Sequence, residues 1–358
     1  MKAIFVLPNL NAGGAERVVT LLSRELVAMG LTVDIALMLD GQMQYDLPEG
    51  VGVVNLNTHR MSRAQRLRTM RSYFAQEKKM DPQLVLLPFH DSCLKNVLFA
   101  TFGLGIAVIA SERNNPYIKG ESKFARLKAS IPYGLASACV FQTRDALEYY
   151  APMVQKKGRV IVNPLQLKEE LVWTGMGNRT IVSVGRLDPQ KNQKMLIDAF
   201  WMLHKDHPEC TLDIYGEGSL RPQLQEQIDA LGLQEAVCLR GYDKQVQKRV
   251  SEAGVFALSS DYEGMSNALI EALAMGVPSV STDHPIGGAR WLIRDGDNGL
   301  LTPVGDADAL YKAMAFLLEK PDQAAKMSEK GKQLRQTLSA HNIAREWLAL
   351  IKTLRGMG

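Results

Sequence analysis

One stretch of sequence decides how this chain is interpreted: Ser259-Ser260-Asp261-Tyr262-Glu263-Gly264-Met265-Ser266-Asn267-Ala268-Leu269-Ile270-Glu271-Ala272-Leu273. The apolar run 254–258 before it predicts a short buried strand. Asn267–Met275 predicts a helix with Ser266 as N-cap and a stop at Gly276. Glu263 is therefore expected at the carboxyl end of a strand, where open α/β sheets bind ligands, and Glu271 more than one turn into the helix. Acidic residues at a helix start also simply favour the helix dipole, so the pair gains functional meaning only from its neighbours.

Length and composition limit the class of protein. A chain of 358 residues exceeds the ~250–300 that one hydrophobic core supports, so two domains are expected. The four cysteines form no CxxC pair, which argues against a zinc site and a disulfide framework and is compatible with a reducing cytosol. No apolar stretch reaches the ~18 residues of a membrane span. The run 3–7, ended by Pro8, predicts a first strand rather than a signal peptide.

Strands alternate with helices in both halves of the chain. Strands are predicted at residues 3–7, 32–37, 84–87, 106–110, 139–142, 180–184, 211–215, 237–239, 254–258 and 279–281. Helices are predicted at 15–29, 193–205, Asn267–Met275 and 341–354, with another ending at Leu231. This alternation is typical of parallel sheets covered on both faces. We therefore predict an α/β fold of two doubly wound, Rossmann-like domains, 1–164 and 165–340, facing a central cleft, with a C-terminal helix in 341–358 packing back toward the first domain.

Two loops at predicted strand ends have the composition of phosphate-binding sites. The first loop is Asn9-Leu10-Asn11-Ala12-Gly13-Gly14-Ala15-Glu16-Arg17. Its glycines would let the backbone approach a ligand at the start of a helix, or they simply form a tight turn. The second loop is Gly185-Arg186-Leu187-Asp188-Pro189-Gln190-Lys191-Asn192. It offers a planar guanidinium and a mobile ammonium group, which suit a diphosphate; the alternative is a solvated loop that carries two cations. Gly216 and Tyr242 follow two further strands; the first permits an unusual backbone angle and the second can flank a base.

In combination these motifs resemble the retaining GT-B glycosyltransferases of glycosyltransferase family 4. The resemblance rests on Gly13-Gly14-Ala15-Glu16-Arg17, on residues 185–192 and on the Glu263…Glu271 spacing, and it extends over nearly the whole chain. It implies a GT-B fold, a UDP-sugar donor and no metal. Asp295-Gly296-Asp297 matches the D-x-D metal signature of a different fold, but it falls in a Gly- and Asn-rich turn, so we do not predict a metal there.

The resemblance also implies roles for individual residues. Arg186 and Lys191 would neutralise the donor diphosphate and the charge on the leaving group. Glu263 would face the donor sugar and Glu271 would accept hydrogen bonds from the ribose hydroxyls. The remaining donor-binding residues implied are Gly14, Gly216, Tyr242, Gly264, Met265, Ser266 and Asn267.

One departure from the family pattern concerns the loop Ser111-Glu112-Arg113-Asn114. Many relatives carry a histidine where this chain has Arg113, and arginine cannot shuttle protons near neutral pH. Either Glu112 or the donor phosphate would then take the proton, and Arg113 would bind an acceptor phosphate. The catalytic residues predicted are therefore Glu263, Arg186, Lys191, Glu112 and Arg113.

A basic helix is predicted near residues 60–79. The first 164 residues carry 20 Lys and Arg against 13 Asp and Glu, a net charge of +7, whereas the remainder is at −3. At ~100° per residue, five cations share one arc beside Leu67, Met70 and Phe74. They are Arg60, Arg68, Arg71, Lys78 and Lys79. The arc predicts binding to an anionic membrane or a lipid diphosphate. The alternative is a basic solvent-facing surface on a packed helix. The segment lacks the aromatic residues interleaved with basic ones that are typical of nucleic-acid binding.

The function predicted is transfer of a sugar (GalNAc, GlcNAc or Glc) from a UDP-sugar to an undecaprenyl-diphosphate-linked saccharide, with retention and without a metal. The protein is expected in the cytoplasm, on the inner face of the cell membrane. The alternatives are another GT-B activity such as a UDP-sugar epimerase, or a sugar-nucleotide-binding subunit without catalysis. A nicotinamide dehydrogenase is disfavoured because the first loop lacks the G-x-G-x-x-G fingerprint.

Overall fold

The chain folds into two compact units. The computed structural model describes residues 1–11, 13–39, 47–167 and 170–356. Unit 1 consists of Met1–Pro164 together with Leu338–Gly358, and unit 2 of Leu165–Thr337. Ala12 of the first loop and the last two residues of the predicted segment 341–358 lie outside the described residues.

Unit 1 is built on a seven-stranded parallel sheet in the order β3-β2-β1-β4-β5-β6-β7. Its strands are β1 (Lys2–Leu7), β2 (Thr32–Leu37), β3 (Val51–Asn55), β4 (Val85–Pro88), β5 (Ala107–Ser111), β6 (Ala138–Phe141) and β7 (Gly158–Val160). Its first helices are α1 (Gly14–Ala28), α2 (Arg63–Met80), α3 (Asp91–Thr101), α4 (Lys123–Leu135), α5 (Arg144–Glu148) and α6 (Pro152–Gln155), with a 3₁₀ turn at Pro116–Lys119. The central strands β1, β4, β5 and β6 are continuous apolar runs because helices cover both faces of the sheet.

Unit 2 is built on a six-stranded parallel sheet in the order β10-β9-β8-β11-β12-β13. Its strands are β8 (Thr180–Val184), β9 (Thr211–Tyr215), β10 (Val237–Gly241), β11 (Val255–Leu258), β12 (Ser279–Thr282) and β13 (Leu300–Thr302). Its helices are α7 (Gln193–Asp206), α8 (Arg221–Ala230), α9 (Val246–Ser251), α10 (Asn267–Met275), α11 (Gly288–Leu292), α12 (Ala307–Glu319), α13 (Pro321–Gly331) and α14 (Leu334–Thr337), with a 3₁₀ turn at Pro189–Lys191.

The last helix, α15 (Ala340–Thr353), packs against α1 within unit 1. Its apolar residues Ile343, Trp347 and Ile351 are buried, as the amphipathic pattern of the sequence predicts. The Trp347 ring lies 5.7 Å from the ring of Phe89, which follows β4. The helix therefore completes the core of unit 1.

The predicted strand–helix alternation and parallel sheets are confirmed. Every predicted strand, and every predicted helix except the one near residues 60–79, lies within two residues of an element of the structure; α2 begins three residues later than predicted, at Arg63. Three strands were not predicted: β3, β7 and β13. Each of them is an edge strand, and an edge strand lacks the continuous apolar run that marks a strand buried on both sides.

Candidate active site

The site predicted around Glu263 forms at the carboxyl ends of two paired strands of unit 2. Lys191 lies on the loop after β8 and Glu263 on the loop after β11. Lys191 Nζ donates to Glu263 Oε1 in an ion pair. Ser260 Oγ donates to the same oxygen at 2.9 Å, and Gln190 Nε2 donates to Oε2 at 3.3 Å. Two of the predicted catalytic residues, 72 positions apart in the chain, are therefore in direct contact.

The carboxylate of Glu263 is buried and ionised, with its side chain 9% exposed. Burial alone would raise its pKa. The charge and hydrogen bond of Lys191 and the hydrogen bond from the Ser260 hydroxyl outweigh burial, so the pKa lies below its ordinary value. A carboxyl group with a lowered pKa carries no proton near neutral pH. Glu263 is therefore a negative charge and a hydrogen-bond acceptor at this site and not a proton donor.

Asn192 fixes the path of the loop that carries Lys191. Its backbone is left-handed (φ 45°, ψ 46°), a conformation that asparagine adopts more readily than most residues. Asn192 Oδ1 accepts from Met195 N at 3.2 Å as the N-cap of α7, and Nδ2 donates to Asp261 Oδ1 at 2.7 Å. Asp261 N in turn donates to Gln190 O at 2.9 Å. The loops after β8 and β11 are therefore fastened to each other, which keeps Lys191 beside Glu263.

The loop between Glu263 and α10 is buried along its length. Helix α10 begins at Asn267 as predicted, and Ser266 occupies the N-cap position, although its side chain makes no capping hydrogen bond. Gly264 and Met265 are buried, and Glu271, within α10, is only 7% exposed. The segment is therefore held by packing rather than by a side-chain cap.

Gly288, which sequence reasoning missed, supports this loop from α11. A Cβ at position 288 would lie 2.0 Å from the carbonyl oxygen of Gly264. Because the neighbour is backbone, it cannot rotate away as a side chain would. Only glycine therefore fits between α11 and the loop that follows Glu263.

We expect Gly288→Ala to displace the Gly264 loop and to lower catalytic turnover at this candidate site by roughly 100-fold, because ~1 Å misplacements at an active site have effects of that size. Overpacking should also destabilise unit 2 by about 1–3 kcal/mol. The measurements are steady-state turnover and a denaturant midpoint. Gly296→Ala is the control, because a Cβ there meets nothing within 4 Å and only its left-handed φ of 72° is strained. Wild-type turnover in Gly288→Ala would contradict the role assigned to this contact.

His284 is a second residue of the site that sequence reasoning missed. It follows β12, is 0% exposed, and interacts electrostatically with both Glu263 and Lys191. Its Nδ1 lies 3.2 Å from Pro285 O, and its Nε2 is buried without a hydrogen-bond partner among the described residues. Burial lowers the pKa of His284, and the hydrogen bond to Pro285 and the attraction of Glu263 only partly oppose it. His284 is therefore a neutral imidazole beside the Lys191–Glu263 pair at neutral pH.

We expect the stability of unit 2 to fall as the pH drops below about 6.5, the ordinary pKa of histidine. The unfolded chain takes up a proton on His284 before the folded chain does, so protonation favours unfolding in this window. Glu263 adds to acid sensitivity only below its ordinary pKa of 4.5, because its folded pKa is lowered. Urea midpoints between pH 5 and 7.5 should show a shallower pH slope in His284→Asn. An unchanged slope would exclude His284 as the titrating group.

The other predicted donor-binding residues of unit 2 lie at neighbouring strand ends. Arg186 follows β8, and its side chain, 73% exposed, pairs with Asp188 at 3.1 Å. Tyr242 follows β10 and is 70% exposed. Gly216 follows β9 with a φ of 136°, and a Cβ there would lie 2.0 Å from the carbonyl oxygen of Gly185. Close packing against Gly185 therefore requires a glycine at 216 whether or not a ligand binds.

In unit 1 the Gly13-Gly14 pair lies at the start of α1. Gly13 is the N-cap with an extended backbone, and Gly14 is the exposed first residue of the helix. The strand-to-helix turn predicted for this loop is therefore present. The role of Gly14 toward a donor diphosphate stays a prediction.

Arg113, predicted to bind an acceptor phosphate, is half-buried in unit 1. Its guanidinium carbon lies 4.1 Å from the centroid of the Phe89 ring and 5.3 Å from that of Trp347. Nε donates to Ser111 Oγ at 2.6 Å and Nη1 to Asn163 Oδ1 at 3.4 Å. Burial lowers the pKa of Arg113 to about 9, which leaves it a cation at neutral pH. These contacts join α15, through Trp347, to the end of β5.

Glu112, predicted as a proton acceptor, lies at the centre of a buried polar network and is 4% exposed. Its Oε1 accepts from the backbone N–H groups of residues 113 and 114 at 3.1 and 3.2 Å. Its Oε2 accepts from Lys119 Nζ at 2.5 Å, Tyr150 Oη at 2.6 Å and Tyr133 Oη at 3.0 Å. Asp91 Oδ1 joins the network by accepting from Lys119 Nζ at 3.2 Å, and it lies 3.2 Å from Tyr133 Oη. Five donors thus occupy the carboxylate, and they tie β5 to α4.

Four of the five cations of the predicted basic arc lie on α2, and one does not. Arg60 lies outside the helix, because α2 begins at Arg63 after a capping box between Ser62 and Gln65. Arg71 Nη1 donates to the backbone oxygens of Ala100 and Phe102 at 3.1 and 2.7 Å, and Lys78 Nζ donates to Pro82 O at 2.5 Å. Arg68 and Lys79 are exposed.

Of the three apolar residues expected beside this arc, two are buried and Leu67 is half-buried. Met70 and Phe74 are 0% exposed and belong to the core of unit 1. Met70 and Phe74 are therefore used for packing within unit 1. Helix α2 fits the alternative given above, a packed helix with a basic solvent-facing surface.

The two aspartates of the D-x-D segment, near the end of unit 2, stabilise the turn in which they lie. Asp295 Oδ1 accepts from Leu301 N at 2.8 Å. Asp297 pairs with Lys330 and, at 3.4 Å, with Arg294. Both carboxylates therefore have structural partners.

Comparison with known proteins identifies the class to which this fold and site belong. Residues 174–334 match the family described as glycosyl transferases group 1. The N-acetylgalactosamine-N,N'-diacetylbacillosaminyl-diphospho-undecaprenol 4-alpha-N-acetylgalactosaminyltransferase of Campylobacter jejuni is 30% identical over 95% of this chain and 96% of its own. The GalNAc-alpha-(1->4)-GalNAc-alpha-(1->3)-diNAcBac-PP-undecaprenol alpha-1,4-N-acetyl-D-galactosaminyltransferase of the same organism is 29% identical over 99% of each chain. The chain belongs to the group 1 glycosyltransferases.

Solved structures agree on the fold. Anabaena HepE, determined in complex with UDP and glucose, superposes with a TM-score of 0.82 at 19% identity and covers 99% of this chain and 100% of its own. The lipopolysaccharide outer core galactosyltransferase WaaB gives a TM-score of 0.78 at 18% identity over 99% of each chain. The predicted GT-B fold is confirmed.

None of the helices in the described part of the chain combines the length and the apolar composition needed to span a bilayer.

Proposed function

We propose that this chain transfers a sugar, N-acetylgalactosamine, N-acetylglucosamine or glucose, from a UDP-sugar to an undecaprenyl-diphosphate-linked saccharide, with retention of configuration. The observation that carries the proposal is the buried Lys191–Glu263 ion pair at the carboxyl ends of β8 and β11. Two relatives from Campylobacter jejuni that match nearly the whole chain are named as undecaprenol-linked N-acetylgalactosaminyltransferases, which supports the acceptor class.

Unit 2 is the proposed donor-binding domain. Lys191 and the exposed Arg186 supply positive charge at one strand end, suited to the diphosphate of a sugar nucleotide. Tyr242 can flank the uracil base and Glu271 can accept from the ribose hydroxyls. Gly216 and the segment Gly264, Met265, Ser266 and Asn267 would line the phosphates and the sugar.

The proposed reaction breaks the bond between the anomeric carbon and the leaving diphosphate oxygen and forms a bond from the same face to an acceptor hydroxyl. The acceptor proton passes to the departing phosphate. Lys191 would stabilise the negative charge that develops on that leaving group. Glu263, ionised and hydrogen-bonded, would hold Lys191 in place and present negative charge to the sugar, on which positive charge develops.

Unit 1 is the proposed acceptor-binding domain. Its first 164 residues carry a net charge of +7, which suits a lipid-linked diphosphate. Gly14 would approach the donor diphosphate through the backbone. Arg113 is proposed as a residue that holds this domain together rather than one that binds the acceptor, because its guanidinium is stacked on Phe89 and bonded to Ser111.

The test is a transfer assay with UDP-, GDP- and ADP-sugars and a short-chain prenyl-diphosphate disaccharide as acceptor. We expect transfer only from a UDP-sugar, and an anomeric configuration in the product that matches the donor by NMR. Glu263→Gln serves as the inactive control. Transfer from a GDP- or ADP-sugar, an inverted product, or UDP binding without transfer to any acceptor would contradict the proposal.

A further inference from the structure

The solvent-facing side of α4 is apolar, which is unusual for an exposed helix. Four residues form what we call the α4 apolar face: Phe124, Leu127, Ile131 and Leu135. They are 76%, 54%, 55% and 72% exposed. At ~100° per residue they share an arc of about 80° on one side of the helix. Exposed apolar residues are ordinary when scattered, but a contiguous stripe indicates an interaction surface.

Neighbouring elements extend this face. Met153 at the start of α6 is 54% exposed and lies against α4, because a Cβ at Gly134 would be 2.6 Å from Met153 Cε. Ile118, on the 3₁₀ turn that packs beside α4, is 60% exposed. The surface is therefore wider than the helix itself.

The opposite side of α4 is firmly anchored in unit 1. Tyr133 and Ser130 are 0% exposed. Tyr133 Oη donates to Glu112 at 3.0 Å, and Ser130 Oγ accepts from Ala151 N at 2.9 Å. Arg126 Nε donates to Tyr149 O at 2.7 Å. Because these contacts fix the rotation of the helix, the apolar face cannot turn inward to bury itself.

The charges of α4 indicate which partner covers this face. The helix contains Lys123, Arg126 and Lys128 and no acidic residue. Lys123 and Lys128 lie on opposite edges of the apolar arc, are exposed, and have no carboxylate partner among the described residues. Lysines that flank an apolar stripe can keep their ammonium groups at the head-group level of a bilayer while their stems follow the apolar surface. An anionic lipid surface satisfies both features, whereas a second copy of this chain would bring the same uncompensated lysines face to face.

We propose that the α4 apolar face is the membrane-docking surface of this protein, with Phe124, Leu127, Ile131 and Leu135 entering the head-group region of an anionic bilayer. Lys123 and Lys128 pair with lipid phosphates at its two edges. The inference rests on the proposed lipid-linked acceptor for its biological purpose, but its evidence is the surface alone. It assigns to α4 the docking that the sequence predicted for α2.

The test is co-sedimentation of the full chain with vesicles of phosphatidylcholine, with and without an equal amount of phosphatidylglycerol. We expect binding mainly to the anionic vesicles, and a loss of at least about tenfold in partitioning for Leu127→Gln combined with Ile131→Gln. Lys123→Glu with Lys128→Glu should weaken binding to the anionic vesicles, whereas Lys79→Glu on α2 should have a much smaller effect. Met176→Gln is the matched control, because Met176 is 64% exposed in unit 2. Thermal midpoints verify that the exposed substitutions leave the fold intact.

Wild-type partitioning in the Leu127/Ile131 variant, or no binding of the unaltered protein to either vesicle, would overturn the proposal. So would a dimer in light scattering that this variant converts to a monomer, because a second copy would then be the occupant. The vesicle assay uses no sugar nucleotide, and transfer to a detergent-dispersed acceptor is measured separately. Lost vesicle binding with intact transfer indicates the docking surface alone, and lost transfer with intact vesicle binding contradicts only the proposed function.

Discussion

Glu263→Gln is expected to reduce sugar transfer by roughly 10²–10³-fold while UDP binding persists. The substitution keeps the shape of the side chain and its contact with Ser260, but it removes the charge that holds the Lys191 ammonium. An ammonium that is no longer positioned cannot stabilise the leaving group, and losses of 10²–10³ are typical for one electrostatic donor at an active site. Turnover and calorimetric binding of UDP are the measurements.

Lys191→Ala should also abolish transfer, but it should lower the stability of the fold and the affinity for UDP as well. It leaves the buried Glu263 carboxylate without its cation, and removing one partner of a buried pair typically costs about 3–5 kcal/mol. UDP binding should weaken too, because Lys191 is a proposed diphosphate ligand. A stability loss alone would therefore not demonstrate a catalytic role.

The double variant Lys191→Met with Glu263→Gln separates catalysis from stability. It removes both charges, so stability should recover relative to Lys191→Ala while transfer stays absent. Lys194→Ala, an exposed lysine in the first turn of α7, is the matched control and should keep wild-type turnover. Near-normal transfer in Glu263→Gln or Lys191→Ala would refute the assignment of this site.

The sequence was sufficient to predict that Lys191 and Glu263 lie at strand ends of one sheet, and parallel strands carry their carboxyl ends to the same edge; the ion pair between the two side chains was not predicted. The same rule applied to β12 would have found His284, which follows the strand by two residues. The histidine was missed because it stands outside the quoted motifs. Gly288 could not be found in this way, since its requirement comes from the backbone of Gly264 and not from any local pattern.

The helices of unit 1 show that the spacing of apolar residues does not by itself determine where a helix begins or which of its faces is buried. Ser62 and Gln65 form a capping box that is visible in the sequence and would have excluded Arg60 from α2. For α4 the apolar spacing of Phe124, Leu127 and Ile131 is that of a buried face. The structure instead buries the side with Ser130 and Tyr133, because Glu112 and Ala151 provide partners for their hydroxyl groups. Periodicity defines a face, and tertiary hydrogen bonds decide which face points inward.

Glu112→Ala is expected to destabilise unit 1 by about 3–5 kcal/mol, the usual cost of breaking a buried charge pair. The carboxylate accepts from Lys119, Tyr133 and Tyr150 and from two backbone N–H groups. Burial by itself would lower the pKa of Lys119, but Glu112 and Asp91 raise it above its ordinary value, so the ammonium stays charged. Burial, reinforced by the charge of Glu112, raises the pKa of both tyrosines, so their hydroxyl groups remain neutral donors. Removing Glu112 would leave all of these donors without their common acceptor.

Hydrogen exchange of the α4 and β5 amides distinguishes this network from a catalytic role. If Glu112 fastens α4 to β5, Glu112→Ala and, to a lesser degree, Glu112→Gln accelerate exchange there, and transfer falls only as far as unit 1 is unfolded. A catalytic base would instead lose turnover in Glu112→Gln with unchanged exchange and an unchanged denaturant midpoint, which would contradict the structural role. Glu121→Gln, an exposed carboxylate just before α4, is the control and should change neither readout. Because the same network fixes the rotation of α4, Glu112→Ala should also weaken vesicle binding, although it alters no residue of the α4 apolar face.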